Sequence, residues 1–432
     1  MTRFDPSGPL RGSLRPPSDK SISHRAALIA AMGEGEVRVV NYLEAADTLS
    51  TLGAVERLGA TVERLEGAAV EPTYRIRGVG LRGPASARID VGNAGTLLRL
   101  LPGWLAGQEK GRWVLDGDDS IRRRPVDRIA IPLRKMGARL DARDDRLPPL
   151  EISAAPLHGI TYELPVASAQ VKSCLLFAGL LAAGETTVVE TLPSRDHTER
   201  MLAAAGATIE RNEGAVTVHP AERLAVGEIA VPADVSSAAF FAVAALLVGG
   251  SEVVLEQVGV NPTRTGLLGI LGRMGAEIEV EPQGERGGEP TARLRVRPAA
   301  LRGVEVGGAE VPLAIDELPL VALAACFAEG TTTIRDAAEL RRKESDRIAT
   351  VTSALNALGG IVEPTDDGMV IAGLGGLRGG AIESHGDHRI AMLGAVAGLA
   401  SREGVEVHGM EAAAVSYPGF EADLAALLGA GA

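Results

Sequence analysis

The chain of 432 residues is 46% hydrophobic and 23% charged, long and apolar enough for two or three domains with buried cores, which excludes the disordered and collagen-like classes. Its formal net charge of −12 and 3% aromatic content argue against a nucleic-acid binder, which needs a basic face and stacking rings. Apolar runs such as 238–248 are shorter than the roughly 18–20 residues that span a bilayer, so no membrane crossing is expected.

The opening, MTRFDPSGPLRGSLRPPSDK, is polar and broken by proline, unlike a secretory signal or a transit peptide, and a cytoplasmic location is expected. An apolar helix follows and closes on a glycine before the β-rich GEVRVVN at 35; a more amphipathic helix then ends in VERLGATVE at 55. The pair recurs. The apolar helices lead into GRWVLDG at 111, GETTVVE at 184, GSEVVLE at 250, GTTTIRD at 330 and GVEVHG at 404. The amphipathic ones end in LRKMGARLDA at 133, MLAAAGATIE at 201, LGRMGAEIEV at 271, LNALGGIVEP at 355 and the C-terminal LAALLGAGA. Their glycines, Gly59, Gly137, Gly206, Gly275, Gly359 and Gly429, are 78, 69, 69, 84 and 70 residues apart, and each reads as the left-handed residue that ends a helix and feeds a strand.

Six units of this length predict two similar α/β domains of three units each, crossing over near Val231-Pro232-Ala233. The helices at 173–183, 238–248 and 318–328 are apolar nearly all round and belong inside a ring of sheets. Cys174 and Cys326 lie in such helices and read as buried small hydrophobes.

Polar clusters fall where the helices begin, and a helix start offers unpaired N–H groups and a partial positive charge to an anion. They include Ser18 to Arg25, Gly92-Asn93-Ala94-Gly95-Thr96, Arg122-Arg123-Arg124, Ser168-Ala169-Gln170-Val171-Lys172, Ser194-Arg195-Asp196-His197, Asp316-Glu317, Arg341 to Arg347 and His385 to Arg389. Each has a plain alternative. Asp47 and Asp234 suit ordinary caps, and an arginine run suits a solvated face. His385 and His388 are three apart, but with arginine beside them and no further His or Cys no metal is expected. Recurrence of Lys20, Arg25, Arg124, Lys172, Lys343, Arg347 and Arg389 at the same place in an acidic chain favours several anionic groups held at once.

The stretches SDKSISHR at 18, GNAGT at 92, RRRP at 122, ASAQVKS at 167, SRDHTERM at 194, NPTRTG at 261, IDELP at 315, RRKESDR at 341 and GDHRIAM at 386 together resemble the 5-enolpyruvylshikimate-3-phosphate (EPSP) synthase family, along nearly the whole chain. The resemblance implies an enolpyruvyl transferase-like, inside-out α/β barrel fold in two domains, 1–18 plus 232–432 and 19–231, hinged by two chain crossings with the active site in the cleft. It implies transfer of the enolpyruvyl group of phosphoenolpyruvate to the 5-hydroxyl of shikimate 3-phosphate through a tetrahedral intermediate, without cofactor or metal, in a monomer whose partners are these small molecules. By the same resemblance, Lys20, Ser21, Arg25, Ser168, Gln170, Ser194, Asp316 and Lys343 contact shikimate 3-phosphate. Lys20, Asn93, Gly95, Arg124, Gln170, Arg347 and Arg389 contact phosphoenolpyruvate. Asp316, Glu344 and Lys20 carry catalysis, Asp316 as base for the hydroxyl and Glu344 moving a proton at the enol carbon. Lys343 and Arg25 are expected to be replaceable without loss of fold.

The chain departs from the family where relatives have a lysine and it reads Ala414-Val415-Ser416-Tyr417, and where Ser168-Ala169-Gln170 has one serine fewer. ASAQVKS, SRDHT and NPTRTG resemble a bacterial branch with glyphosate-tolerant members, but Gly95 stands where those members often carry alanine, which implies at least partial sensitivity. Two other readings are a UDP-N-acetylglucosamine enolpyruvyl transferase, disfavoured by Lys20-Ser21 and the lack of a cysteine near Arg124, and a non-catalytic repeat scaffold, which predicts no buried pairing of Asp316 and Glu344 with cations.

Overall fold

The computed structural model describes residues 1–66 and 71–429. The chain divides into two compact units, Ser18–Pro232 with Glu285–Glu289, and Met1–Pro17 with Ala233–Gly284 and Pro290–Ala432.

The unit built on 18–232 holds helices α1 (Lys20–Met32), α2 (Ala46–Arg57), α3 (Gly95–Ala106), α4 (Asp127–Lys135), α5 (Ala169–Gly179) and α6 (His197–Ala204). Its three sheets have four strands each, and in each the strand after the apolar helix pairs with a parallel edge strand on one side and an antiparallel strand on the other. Parallel pairing needs a crossover, and α3 supplies one between Ala87–Asp90 and Arg112–Asp116. After the third sheet the chain adds Glu228–Ala230 beside Glu36–Val40, so the last repeat provides the edge of the first. Helices α1, α3 and α5 are buried along nearly their whole length, as helices without a polar face must be. Gly103 lets α3 approach α5 closely, since a Cβ there would lie 2.0 Å from Cys174 O. Burial pushes the Cys174 thiol well above its ordinary range and the Cys326 thiol up to about 12, so both are inert core groups.

The other unit holds α7 (Val235–Leu247), α8 (Gly266–Met274), the short α9 (Val311–Ala314), α10 (Leu318–Phe327), α11 (Arg347–Ala357), α12 (His388–Ala400) and α13 (Phe420–Gly429). Two of its sheets repeat the four-stranded order, and the third has three strands. Here the N-terminal residues complete the pattern. Thr2–Phe4 pairs antiparallel with Val405–His408, and Arg11–Leu14 forms the parallel edge beside Glu252–Gly259. This corrects the sixth glycine. Gly59, Gly137, Gly206, Gly275 and Gly359 have φ of +104°, +100°, +89°, +106° and +89° and end their helices, but Gly429 is the last described residue of α13, and residues 430–432 lie outside the described residues. The strand that Gly429 is expected to feed lies outside the described residues.

At the crossings, Asp19 N donates to Pro232 O at 2.9 Å in one unit and Asp234 N to Pro17 O at 2.8 Å in the other. A further excursion carries no signal in the repeat pattern. The hairpin Ile278–Arg286/Glu289–Val296 places its tip, 285–289, with the 18–232 unit, where His197 Nδ1 meets Glu289 Oε1 at 2.7 Å and Arg286 pairs with Glu71 at 3.0 Å. Among the described residues no helix is long and apolar enough to cross a membrane.

Candidate active site

Helix α1 starts at Asp19, whose carboxylate accepts from Ile22 N at 2.9 Å, and this cap sets Lys20 and Ser21 on the first turn. Lys20 Nζ lies 3.2 Å from Asp47 Oδ2, so Asp47 serves as a counter-ion; the N-cap of α2 is Ala45, with Asp47 inside the first turn, against the expectation that Asp47 caps the helix. Arg25, 2% exposed, donates to Ser21 O, Thr198 Oγ1 and Ser173 Oγ at 2.9, 2.7 and 2.9 Å, joining α1, α5 and α6. Between these cations His24 is fully buried against Thr51 Oγ1. Burial, reinforced by Lys20 and Arg25, holds its pKa at about 3, so the ring is neutral at physiological pH.

The start of α3 gathers a second group. Arg124 Nη2 donates to Asn93 Oδ1 at 2.9 Å, and Asn93 Nδ2 donates to Asp118 Oδ2 at 2.6 Å. The guanidinium passes over Gly95, where a Cβ would lie 2.5 Å from Arg124 Nη1 and 3.6 Å from Arg99 Nη1. Arg99 also donates to Gln170 Oε1 at 2.8 Å, while Gln170 Nε2 donates to Thr96 Oγ1 at 3.2 Å. Ser168 caps α5, accepting from Val171 N, and Ser194 donates to Glu190. Lys172 departs from the anion reading: it is 1% exposed and bound to Glu190 and Glu199, each at 2.7 Å, so its charge is committed inside the fold.

In the other unit the third group is built around Arg347, 1% exposed at the first position of α11. Its Nε meets Asp387 Oδ2 at 2.8 Å, its Nη2 meets Glu344 Oε2 at 2.6 Å, and its Nη1 meets Asp316 Oδ1 at 3.3 Å. Lys343 Nζ reaches the same Asp316 oxygen at 3.2 Å. Arg389 donates through Nη1 to Asp316 O at 2.9 Å, with Nη2 3.9 Å from Asp316 Oδ2. Burial works against the charge of Arg347, but Asp387, Glu344 and Asp316 reverse this and hold its pKa above the ordinary value. Likewise burial would raise the Asp387 carboxyl, yet Arg347 keeps it below the usual value. Arg347 thus pairs with three carboxylates of its own unit.

The predicted residues therefore fall into two sets, with Lys20, Ser21, Arg25, Asn93, Gly95, Arg124, Ser168, Gln170 and Ser194 in one unit and Asp316, Lys343, Glu344, Arg347 and Arg389 in the other. Arg99 and Asp387 were missed. Arg99 stands alone in an apolar helix four residues after Gly95, the spacing that stacks side chains on one face, and this was its available signal. Among the described residues one cluster has metal-ligand spacing, Asp196, His197 and Glu289; Arg200 and Arg211 pair with Asp196 there at 2.9 and 3.2 Å, which suits an ion-pair network.

A family model described as EPSP synthase (3-phosphoshikimate 1-carboxyvinyltransferase) matches residues 4–424. A 3-phosphoshikimate 1-carboxyvinyltransferase of Roseiflexus castenholzii is 52% identical over 418 residues, covering 95% of this chain and 96% of that protein. One from Alkalilimnicola ehrlichii is 50% identical over 418 residues, covering 96% and 93%. Among solved structures, an EPSP synthase from Acinetobacter baumannii superposes with a TM-score of 0.86 at 44% identity, covering 98% of this chain and 97% of its own. The enolpyruvyl transferase NikO from Streptomyces tendae shares the fold, with a TM-score of 0.78 at 18% identity over 98% and 96% of the two chains.

Proposed function

The chain belongs to the EPSP synthase family, and from that membership we propose how its residues divide the work of the reaction. The reaction itself is transfer of the enolpyruvyl group of phosphoenolpyruvate to the 5-hydroxyl of shikimate 3-phosphate with release of phosphate, a step of the shikimate pathway to the aromatic amino acids. Both substrates are anions, and cations at the starts of α1 and α3 offset their charge. In this reading Lys20, Ser21, Arg25, Ser168, Gln170, Ser194 and Lys343 hold shikimate 3-phosphate, and Lys20, Asn93, Gly95, Arg124, Gln170, Arg347 and Arg389 hold phosphoenolpyruvate.

Addition forms a bond between the hydroxyl oxygen and the enol carbon that bears the phosphate; the hydroxyl proton leaves and the terminal carbon gains one. Elimination then breaks the bond between that carbon and the phosphate oxygen, releasing phosphate, while the terminal carbon loses a proton to restore the double bond. Asp316 takes the hydroxyl proton, and Glu344 serves the carbon. The observation that carries this assignment is the meeting of Asp316 with Lys343 at 3.2 Å and Arg347 at 3.3 Å, with Glu344 on the same guanidinium at 2.6 Å. Cations facing two carboxylates through a shared arginine can support a proton donor and acceptor of unequal strength. A scaffold has no use for such pairing, and the amino-sugar alternative is not favoured by the Roseiflexus and Acinetobacter relatives.

The enzyme works as a cytoplasmic monomer in this proposal, which native mass measurement and fractionation would test. Phosphate release measured with both substrates and with each omitted tests the residue assignment in the parent and in Asp316→Asn. Release that is unchanged by the substitution removes Asp316 from the role of base.

A further inference from the structure

We propose that Glu317 is a positioning residue for the phosphoenolpyruvate carboxylate, acting by fixing the guanidinium of Arg389. The proposal rests on the assignment of Arg389 to that carboxylate. Glu317 follows Asp316 directly and is 1% exposed at the start of α10. Its Oε1 accepts from Ser236 Oγ and from Arg389 Nη1 at 3.4 Å, while its Oε2 is buried without a hydrogen-bond partner among the described residues.

A buried carboxylate with an idle oxygen is costly to keep and calls for a reason. The partners supply one. Arg264, from the NPTRTG stretch, donates through Nη2 to Ser236 Oγ at 2.6 Å and pairs with Asp234 at 3.1 Å. A continuous line thus runs from Arg264 through Ser236 and Glu317 to Arg389, linking the starts of α7, α10 and α12. At its end Arg389 is held from two directions, by Asp316 O at 2.9 Å and by Glu317. Its Nη2 stays 3.9 Å from the Asp316 carboxylate, wider than a hydrogen bond. Without Glu317 the guanidinium is free to turn onto Asp316, which would take both the fork from the substrate and the base from the hydroxyl. Glu317 therefore holds the cation for the substrate and away from the base, and this gives the Ser236 and Arg264 motifs a function.

The test measures KM for each substrate and kcat in Glu317→Ala, Glu317→Gln, Arg389→Lys and the Glu317→Ala/Arg389→Lys double variant, with folding checked by thermal melting. Glu317→Ala should raise KM for phosphoenolpyruvate at least tenfold with KM for shikimate 3-phosphate within twofold, and Glu317→Gln, which keeps an acceptor oxygen, should recover most of that loss. In the double variant the two effects should fall well short of multiplying, since both act through one guanidinium. If Arg389→Lys raises KM for phosphoenolpyruvate but Glu317→Ala does not, the positioning role is wrong and the site assignment survives. If Arg389→Lys leaves that KM unchanged, the site assignment itself fails and the proposal falls with it. Should Glu317→Ala not fold, Ser236→Ala carries the same expectation at smaller size; fully multiplicative effects of Ser236→Ala and Arg389→Lys would overturn the proposal.

Discussion

Gly95→Ala isolates one contact. A methyl group at this position would stand 2.5 Å from Arg124 Nη1, and the guanidinium must retreat by about 0.9 Å to reach ordinary contact at 3.4 Å. The obstacle is the end of a flexible side chain, and Gly95 lies in the first turn of α3 outside the left-handed region, so the backbone bears no strain. Alanine even favours the helix over glycine by up to about 1 kcal/mol, and the melting temperature should hold or rise. What is lost is the aim of Arg124, now set by its 2.9 Å hydrogen bond to Asn93 Oδ1. One misplaced charge-assisted bond to a substrate anion is worth about 1.5–3 kcal/mol, so KM for phosphoenolpyruvate should rise roughly 10- to 150-fold. Glyphosate, by the family resemblance a longer occupant of the same place, should be hurt more, and the ratio of its inhibition constant to that KM should increase. Steady-state kinetics of the parent, Gly95→Ala, Arg124→Ala and the double variant decide the matter. In the Arg124→Ala background the methyl group should have little further effect on KM; an equal penalty in both backgrounds would refute the reasoning, since the methyl group would then act on the ligand directly.

Arg347→Met removes the buried guanidinium shared by Asp387, Glu344 and Asp316 and should cost about 3–5 kcal/mol in denaturant unfolding, a loss that a merely surface cation would not produce. Because Arg347 holds the Asp387 carboxyl below its ordinary value, the stability it lends is present above about pH 4 and is lost on further acidification, an acid limb that Arg347→Met should flatten. His24, at about 3 in the fold against 6.5 as its ordinary value, gives stability that is complete above pH 6.5 and falls as pH drops toward 3; about 2 kcal/mol should be lost between pH 7 and 5, and His24→Gln should show a shallower slope in urea midpoints. Arg25→Ala should lower the melting temperature as well as the affinity for shikimate 3-phosphate, because Arg25 ties three helices, whereas Lys343→Met, at the partly exposed edge of its cluster, should weaken binding in calorimetry with little change in melting. Asp316→Asn and Glu344→Gln should each lower turnover roughly 100-fold or more with binding nearly intact, and near-parent turnover of either would remove it from proton transfer.

Local rules wrote much of this fold into the sequence. Apolar helices without a polar face, glycines that leave a helix through positive φ, and polar residues at helix starts act within a turn or two of chain, so Gly59, Gly137, Gly206, Gly275 and Gly359 and the two sets of three repeats could be read directly. The motifs that carry the family resemblance were equally visible, and with them the identities of the candidate site residues. What remained hidden depends on which distant segments meet. Nothing local says that Thr2–Phe4 pairs with Val405–His408, or that the hairpin tip at 285–289 reaches His197. Charges show the same division. A lysine or arginine at a helix start looks alike whatever it pairs with, and only packing sets Lys172 between Glu190 and Glu199, binds Arg347 to carboxylates from 316, 344 and 387, and lays Arg124 across Gly95. The sequence determined where cations could gather because helix ends are local; the tertiary structure decided which carboxylates each of them meets, because a charge is neutralised by whatever the fold brings within a few ångströms of it.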